Sequence, residues 1–376
     1  MIYAPHMLMI GSAGRDSGKT VLACELIRRF AVRAPLVAVK ATVVSGSRGA
    51  CPRGGRGCGA CESLAGDYAV SDDAGAPPRK DTARMAAAGA SRTLWLRVRR
   101  NALDAGAKAL LQAAEPASLI VCESNSLRTT IEPGLFVMVR PNASRRPKPS
   151  AAKVARLADL PLTFDGRGFT PGIGEIGISQ GRWILRENAT AVVLAGGHSS
   201  RMGRDKALLD IGGKPLISLI CDALRPNFKE LIVSCADPAR YAFVDAIFAR
   251  DRAADRGPLM GLLCSLDASS SDLNFVVACD MPAIRLYPAR RLLRELRNAD
   301  AAIPCHPAGL EPLYAVYRRS LRRKVAALLG KGKGDVRSLY ATCRTRYVDF
   351  SDPTPFRNMN TPEDFDEYLS SFRTSV

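Results

Sequence analysis

The sequence predicts an α/β protein of two doubly wound domains in series, and three observations carry that prediction. At 376 residues the chain is longer than one compact domain usually grows, so two cores of ordinary size are expected. Short apolar runs of strand length alternate with amphipathic stretches of helical period in both halves, the pattern of parallel sheets joined by crossover helices. Each half also opens on an apolar run that ends in a glycine-rich loop, at Gly11 to Thr20 and at Gly196 to Lys206. These signals divide the chain into a first domain at 1–140, a linker or accessory segment at 141–188 and a second domain at 189–376.

Composition narrows the classes. Hydrophobic content of 47% with 24% charged residues suits a globular chain, and no apolar run is long enough for a membrane span. Met1 to Ile10 is apolar but has no basic start and no small-residue cleavage site, so it reads as a buried strand and not as a targeting segment. Eleven cysteines without a secretory signal point to a reducing cytoplasm and to thiols that mostly fill cores. The net charge of +18 is spread along the chain and suits anionic ligands. Charge alone would serve nucleic acid or an acidic partner equally; the two phosphate loops make nucleotides the expected ligands and nucleic acid not.

In the first half, Met7 to Ile10 leads through Gly11-Ser-Ala-Gly-Arg-Asp-Ser-Gly-Lys-Thr20 into the amphipathic Val21 to Phe30, giving strand, loop and helix. This fits a phosphate loop with Ala13 in place of the first glycine. The backbone at Gly14, Ser17 and Gly18 would cradle phosphates, Lys19 would reach the outer oxygens and the Thr20 hydroxyl would hold Mg²⁺. Ser118 to Glu123 reads as a buried strand ending in a carboxylate, and Glu123 and Asp81 compete for the role of Mg²⁺ or water partner. Cys51, Cys58 and Cys61 fall within eleven residues with a C-x-x-C at the end, a spacing that suits zinc or an iron–sulfur cluster but is one ligand short of a closed site. Cys122 is a candidate fourth ligand, and free thiols in a glycine-rich loop are the competing reading. The proline-rich basic stretch Pro141 to Pro149 cannot continue a helix or a central strand and is expected to be a linker.

In the second half, Ala191 to Ala195 is a buried strand that delivers Gly196-Gly-His-Ser-Ser-Arg-Met-Gly-Arg-Asp-Lys206. Leu194, Ala195, Gly196 and Gly197 let the backbone approach a nucleotide, while Arg201 and Lys206 supply fixed charge. Gly212-Gly-Lys-Pro-Leu is expected at the head of the first helix; Leu231 to Cys235 is a strand, and Asp251, Gly257 and Pro258 follow it. Phe275 to Pro282 is another strand that ends on Asp280, at the edge where open α/β sheets bind ligands and where one carboxylate can hold Mg²⁺ against a phosphate. Glu311-Pro-Leu-Tyr-Ala-Val-Tyr is strand-like. Thr361 is the expected N-cap of the last helix with Pro362 at its first position, which sets Asn358 and Asn360 just ahead of a helix N-terminus. His6, His198 and His306 have no ligand spacing, and His306 reads as a loop residue.

The string Leu-Ala-Gly-Gly-x-Ser-x-Arg-Met-Gly-x-Asp-Lys at 194–206 resembles the signature of the MobA family, which transfers GMP from GTP onto molybdopterin. The resemblance implies a Rossmann-like nucleotidyltransferase domain, with Arg201, Lys206 and Asp280 as catalytic groups and Mg²⁺ on Asp280. It implies further that Asp251 and Gly257-Pro258 belong to the base and ribose part, and that Asn358 and Asn360 lie near the active site. Where relatives often carry an asparagine after the second strand, this chain has Ser234 and Cys235. Lys80-Asp-Thr-Ala-Arg-Met-Ala-Ala-Ala-Gly-Ala90 resembles a motif of the MobB family of GTP-binding accessory proteins, which implies a P-loop NTPase-like first domain. Together they imply GTP and molybdopterin as small-molecule partners, with molybdoenzyme apoproteins or their chaperones as further ones, and leave homo-oligomerisation open. A CTP-dependent transferase, a transferase acting on a sugar phosphate or another cofactor, and a non-catalytic pterin carrier remain the alternatives.

Overall fold

The computed structural model divides the chain into two units, Met1–Leu185 and Arg186–Val376. It describes residues 1–14, 17–44, 64–115, 118–142, 148–196, 205–253, 256–282 and 284–373.

The first unit runs β1 (Ile2–Ser12), α1 (Lys19–Phe30), β2 (Leu36–Val44), β3 (Tyr68–Asp72), α2 (Asp81–Ala87), β4 (Arg92–Arg99), α3 (Leu103–Ala113), β5 (Leu119–Glu123), β6 (Ile131–Pro141), α4 (Pro149–Val154), β7 (Leu160–Phe164) and β8 (Phe169–Thr170), and closes with the hairpin β9 (Ile176–Ser179) and β10 (Arg182–Leu185). The sheet order is β3-β4-β2-β5-β1-β6-β7-β8; only the edge strands β3 and β8 run antiparallel to their neighbours. Strands buried on both faces need apolar residues at every position, which is why β1 and β5 read as continuous runs. Leu8 and Ile10 of β1 pack with Leu22, Leu26 and Ile27 of α1 and Met85 of α2, whereas Met7 and Met9 pack with Ala107 and Leu110 of α3 and Val154 of α4. Helices therefore cover both faces.

Residues 141–188, expected as a linker or accessory segment, are largely built into this first sheet and its core. β7 extends the ladder parallel to β6 with Leu160 opposite Val137, and Trp183 on β10 is buried edge-on against Phe30 at 5.2 Å. The Trp183 indole N–H donates to the Ile120 carbonyl at 3.1 Å. The segment's strands have two to five residues each, too few for alternation to stand out from the surrounding glycines.

The second unit runs β11 (Glu187–Leu194), β12 (Asp210–Ile211), β13 (Lys214–Pro215), α5 (Leu216–Leu224), β14 (Phe228–Cys235), β15 (Ile247–Arg250), α6 (Pro258–Ala268), β16 (Leu273–Ala278), α7 (Leu286–Glu295), β17 (Ala301–His306), β18 (Gly309–Leu310), β19 (Tyr314–Arg318), α8 (Arg322–Gly330), β20 (Thr345–Asp349) and α9 (Pro362–Arg373). The sheet order is β15-β14-β11-β16-β19-β17-β18, with β20 pairing β17. It is mixed: β15, β14, β11 and β16 are parallel, but β19 runs antiparallel to both β16 and β17, so the expectation of a purely parallel sheet fails on this side. Ala191 and Val193 face α5 and α7, while Val192 and Leu194 face α6 and α8. Gly212 and Gly213, expected at a helix head, instead form the two-residue turn between β12 and β13 with φ of 62° and 88°, and α5 starts only at Leu216.

Gly257 caps α6 with φ of 69°, and a Cβ there would stand 2.8 Å from the Gly334 carbonyl oxygen. That oxygen accepts the Leu259 N–H at 3.1 Å, so it cannot move away without losing a bond at the helix start. Gly257→Ala is expected to destabilise the second unit by about 2 kcal/mol, read as a lower thermal midpoint.

Candidate active site

β11 and β16 lie side by side at the centre of the second sheet, and both end at one edge: Leu194 pairs with Ala278, and the Cys279 N–H donates to the Leu194 carbonyl at 3.1 Å. The glycine loop leaves from this edge after Gly196. Gly197, His198 and Arg201 lie outside the described residues, and the chain re-enters the description at Asp205.

The two ends of that loop are tied together. Tyr241, buried, has its hydroxyl 2.8 Å from Asp205 Oδ2 and 3.2 Å from the Ala195 carbonyl, and Arg240 adds an ion pair to Asp205 at 2.8 Å. Burial first, then the bond to Asp205, raises the Tyr241 pKa, so the hydroxyl stays a donor. Asp205 also accepts the Ala207 N–H at 3.1 Å and starts the short turn that carries Lys206.

Lys206 Nζ donates to Asn360 Oδ1 at 2.8 Å and stands 3.7 Å from Asp280 Oδ2. Asn360 is held there from two sides. The neighbouring Met359 N–H donates to the Asp280 carbonyl at 2.7 Å, and the Asn360 N–H donates to Asp364 Oδ2 at 2.9 Å. Thr361 caps α9 as its sequence position predicts: its hydroxyl accepts the Asp364 N–H at 3.2 Å and its own N–H donates to Asp364 Oδ2 at 3.0 Å. Residues far apart in sequence, Lys206, Asp280 and Asn360, thus converge at one sheet edge; Asn358 lies on the same segment. Burial pushes the Asp280 carboxyl above the usual range, and the Lys206 charge pulls it partly back.

Beside this cluster, Ser234 Oγ donates to Asp251 Oδ1 at 3.1 Å, and a Cβ on Gly196 would stand 3.6 Å from Asp251 Oδ2. Asp251 is therefore at the loop's first residue, and Ser234, at the end of β14, orients it. Burial raises its pKa, and the Ser234 bond works against that rise.

His306 is not a loop residue. It ends β17, buried, with its ring stacked on Phe356 at 5.2 Å. The Ala308 N–H donates to Nδ1 at 3.2 Å, which leaves the proton on Nε2 to be donated to Glu311 Oε1 at 3.1 Å. Tyr241 carries no motif, and its partners Ala195 and Asp205 lie 46 and 36 residues away, whereas His306 and Glu311 are only five residues apart but belong to no motif that marks them as a pair.

In the first unit, Gly18 with φ of 83° caps α1, and Lys19 and Thr20 are the first helical residues. The Gly14 carbonyl accepts from the Ser12 and Ser17 hydroxyls at 2.9 and 3.3 Å; Arg15 and Asp16 lie outside the described residues. A pocket of about 390 Å³ opens here, lined among others by Lys19, Thr20, Lys40, Asp81, Arg84 and Lys148. The sequence leaves Asp81 and Glu123 as rivals for one role, but both are joined to the same partner. Lys40 Nζ lies 2.5 Å from Asp81 Oδ2 and 2.6 Å from Glu123 Oε2, and the Thr20 hydroxyl donates to Asp81 Oδ1 at 3.0 Å. Burial opposes the Lys40 charge, but Glu123 and Asp81 more than offset it and its pKa is raised. Burial, and after it the Lys40 charge, lowers that of Lys19.

Cys51, Cys58 and Cys61 lie outside the described residues. Cys122, the candidate fourth ligand, is a buried core residue on β5, where burial pushes its thiol up to about 12. Among the described residues no three His, Cys, Asp or Glu side chains are grouped to hold a metal, and no helix is long and apolar enough to cross a membrane.

Comparison with known proteins finds relatives of the second unit. Residues 191–347 match the model of the MobA-like NTP transferase domain. The chain is similar to a probable molybdenum cofactor guanylyltransferase from Carboxydothermus hydrogenoformans, 31% identical over 50% of this chain and 98% of that protein. It is likewise similar to one from Pelotomaculum thermopropionicum, 34% identical over 47% of this chain and 89% of that protein. The molybdenum cofactor guanylyltransferase of Vibrio vulnificus is 32% identical over 47% of this chain and 93% of its own length.

Proposed function

The chain belongs to the molybdenum cofactor guanylyltransferase family, and from that premise we propose how its two units work. The second unit is a nucleotidyltransferase that moves GMP from GTP onto molybdopterin. A terminal phosphate oxygen of molybdopterin attacks the α-phosphorus of GTP in line, the bond from that phosphorus to the bridging oxygen breaks, and pyrophosphate leaves. No covalent intermediate on the protein is required. The observation that carries this reading is the convergence of Lys206, Asp280 and Asn360 at the edge where the glycine loop departs.

Lys206 neutralises phosphate charge as it builds up, and Asn360 fixes the direction of its ammonium. Arg201, in the glycine loop, is read as a second fixed charge for the phosphates. Mg²⁺ favours one or two carboxylates with phosphate oxygens and water as its other ligands, so the single carboxylate of Asp280 fits it. When bound there, the ion supplies charge neutralisation at the α-phosphate. Asp251, with Gly257 and Pro258, belongs to the base and ribose side, and Leu194, Ala195, Gly196 and Gly197 to the phosphate side.

Ser234→Ala removes the donor that orients Asp251. The KM for GTP is expected to rise about 5-fold, equivalent to about 1 kcal/mol, with kcat little changed. Mass identification of a molybdopterin guanine dinucleotide after incubation with GTP, Mg²⁺ and molybdopterin tests the reaction itself.

The first unit is read as a nucleotide-binding module of the MobB type that takes the phosphates of GTP on Gly14, Ser17, Gly18, Lys19 and Thr20. The left-handed turn at Gly18, the lysine at the first helical position and the basic pocket support it. The whole would act in the cytoplasm and hand its product to molybdoenzyme apoproteins or their chaperones.

A further inference from the structure

We propose that the phosphate-loop pocket of the first unit carries its own cation: Lys40 takes the position between Asp81 and Glu123 that a divalent ion would take, and the pocket holds nucleoside phosphates without one. The proposal rests on the nucleotide-binding reading of this unit.

Thr20 and Asp81 line the pocket and Glu123 reaches Lys40 from β5; each of the three makes a hydrogen bond, the Thr20 hydroxyl as a donor that keeps its lone pairs, while Glu123 Oε1 has no hydrogen-bond partner among the described residues. The Thr20 hydroxyl donates to Asp81 Oδ1 at 3.0 Å, and the remaining oxygen of Asp81 and Oε2 of Glu123 hold Lys40 Nζ at 2.5 and 2.6 Å. The Glu123 side chain has 0% exposure, so its charge needs a counter-charge within hydrogen-bond reach, and a side chain tethered to β2 provides it permanently. A divalent ion entering here would have to expel the Lys40 ammonium into a pocket that already holds Lys19, Arg84 and Lys148. Like charges at that range repel strongly out of water. Lys40 on the two carboxylates, and not the bond made by the Thr20 hydroxyl, is therefore what keeps Mg²⁺ from Asp81 and Glu123.

The charges that remain describe the ligand. Among the described residues, Lys19, Lys40, Arg84 and Lys148 face the pocket or its carboxylates, against Asp81 and Glu123. Lys40 is spent on those two acids, and among the described residues Lys19 has no hydrogen-bonded or ion-paired partner of its own. An excess of positive charge at a helix N-terminus is matched by a di- or triphosphate bound as the free polyanion.

Equilibrium dialysis of radiolabelled GTP against the full chain tests this, in Mg²⁺ and in excess EDTA. The first unit's site is the equivalent of GTP that Lys19→Ala removes. The affinity of that equivalent in the wild-type chain is expected to differ by less than about 3-fold between the two buffers, whereas Lys40→Met weakens it at least about 10-fold in EDTA and regains it in Mg²⁺. A wild-type loss of about 10-fold or more in EDTA overturns the proposal, as does wild-type affinity of Lys40→Met in EDTA. If Lys40→Met does not fold, the wild-type comparison decides alone. If Lys19→Ala removes no equivalent in either buffer, the nucleotide reading of this unit is wrong and the proposal falls with it.

Discussion

Asp280→Asn is expected to lower kcat/KM for guanylyl transfer by about 10³-fold, some 4 kcal/mol of transition-state stabilisation, while the protein remains folded. The amide keeps the shape of the side chain at the end of β16 but loses the charge beside Lys206. The stability consequence runs the opposite way. Burial raises the folded-state pKa of Asp280 above its unfolded value, so the ionised group costs stability above the unfolded pKa, and that cost vanishes as pH falls below it. Asp280→Asn therefore leaves the thermal midpoint at pH 7 at or above that of the wild type. A dead variant with a raised midpoint separates a reactive carboxylate from a structural one. A variant that kept full activity would remove Asp280 from the reaction.

Lys206→Met is expected to lower kcat/KM by about 10²-fold and to move the acid limb of the residual activity. On the proposed role of Asp280 activity requires its ionised form, so it is expected to decline as pH falls through that group's raised pKa. Lys206 opposes the rise caused by burial. Without the ammonium the pKa climbs further, and the acid limb shifts to higher pH. A pH profile of kcat/KM for the variant beside the wild type checks this; an unmoved limb would mean that Lys206 and Asp280 do not act on each other during turnover. Asn360 would also lose its donor, so Asn360→Ala should reproduce part of the Lys206→Met loss without the full shift in pH.

The central strands were legible because strands buried on both faces write themselves as apolar runs. Met7 to Ile10, Ser118 to Glu123, Ala191 to Ala195 and Phe275 to Pro282 correspond to β1, β5, β11 and β16. Their C-terminal ends then pointed to Asp280 and Glu123, because that is where open sheets of this kind expose side chains. Edges and short elements were not legible. β7 to β10 have too few residues to announce a period, and nothing in a linear string says that β19 turns back between β16 and β17.

The candidate site was half legible for a related reason. A phosphate loop is local, and its glycines, lysine and hydroxyl lie within one stretch of chain. Contacts that complete a site are not local. Tyr241 closes the loop 195–205 from beyond β14, Asn360 reaches Lys206 across 154 residues, and Lys40 reaches Glu123 across 83. Lys40 is the sharpest case. In sequence it is one lysine among 54 basic residues, and only the pairing of β2 with β5, which sets Lys40 opposite Glu123, makes it the partner of two acids.

The measurement that bears most directly on the whole account is pyrophosphate release by the purified chain with Mg²⁺ and molybdopterin, offering GTP, CTP and ATP separately. Release with GTP, absent when molybdopterin is omitted, is the predicted result. Release with CTP alone would keep the fold and the chemistry of Asp280 but contradict the guanylyl assignment, and silence with all three nucleotides would contradict the transferase itself.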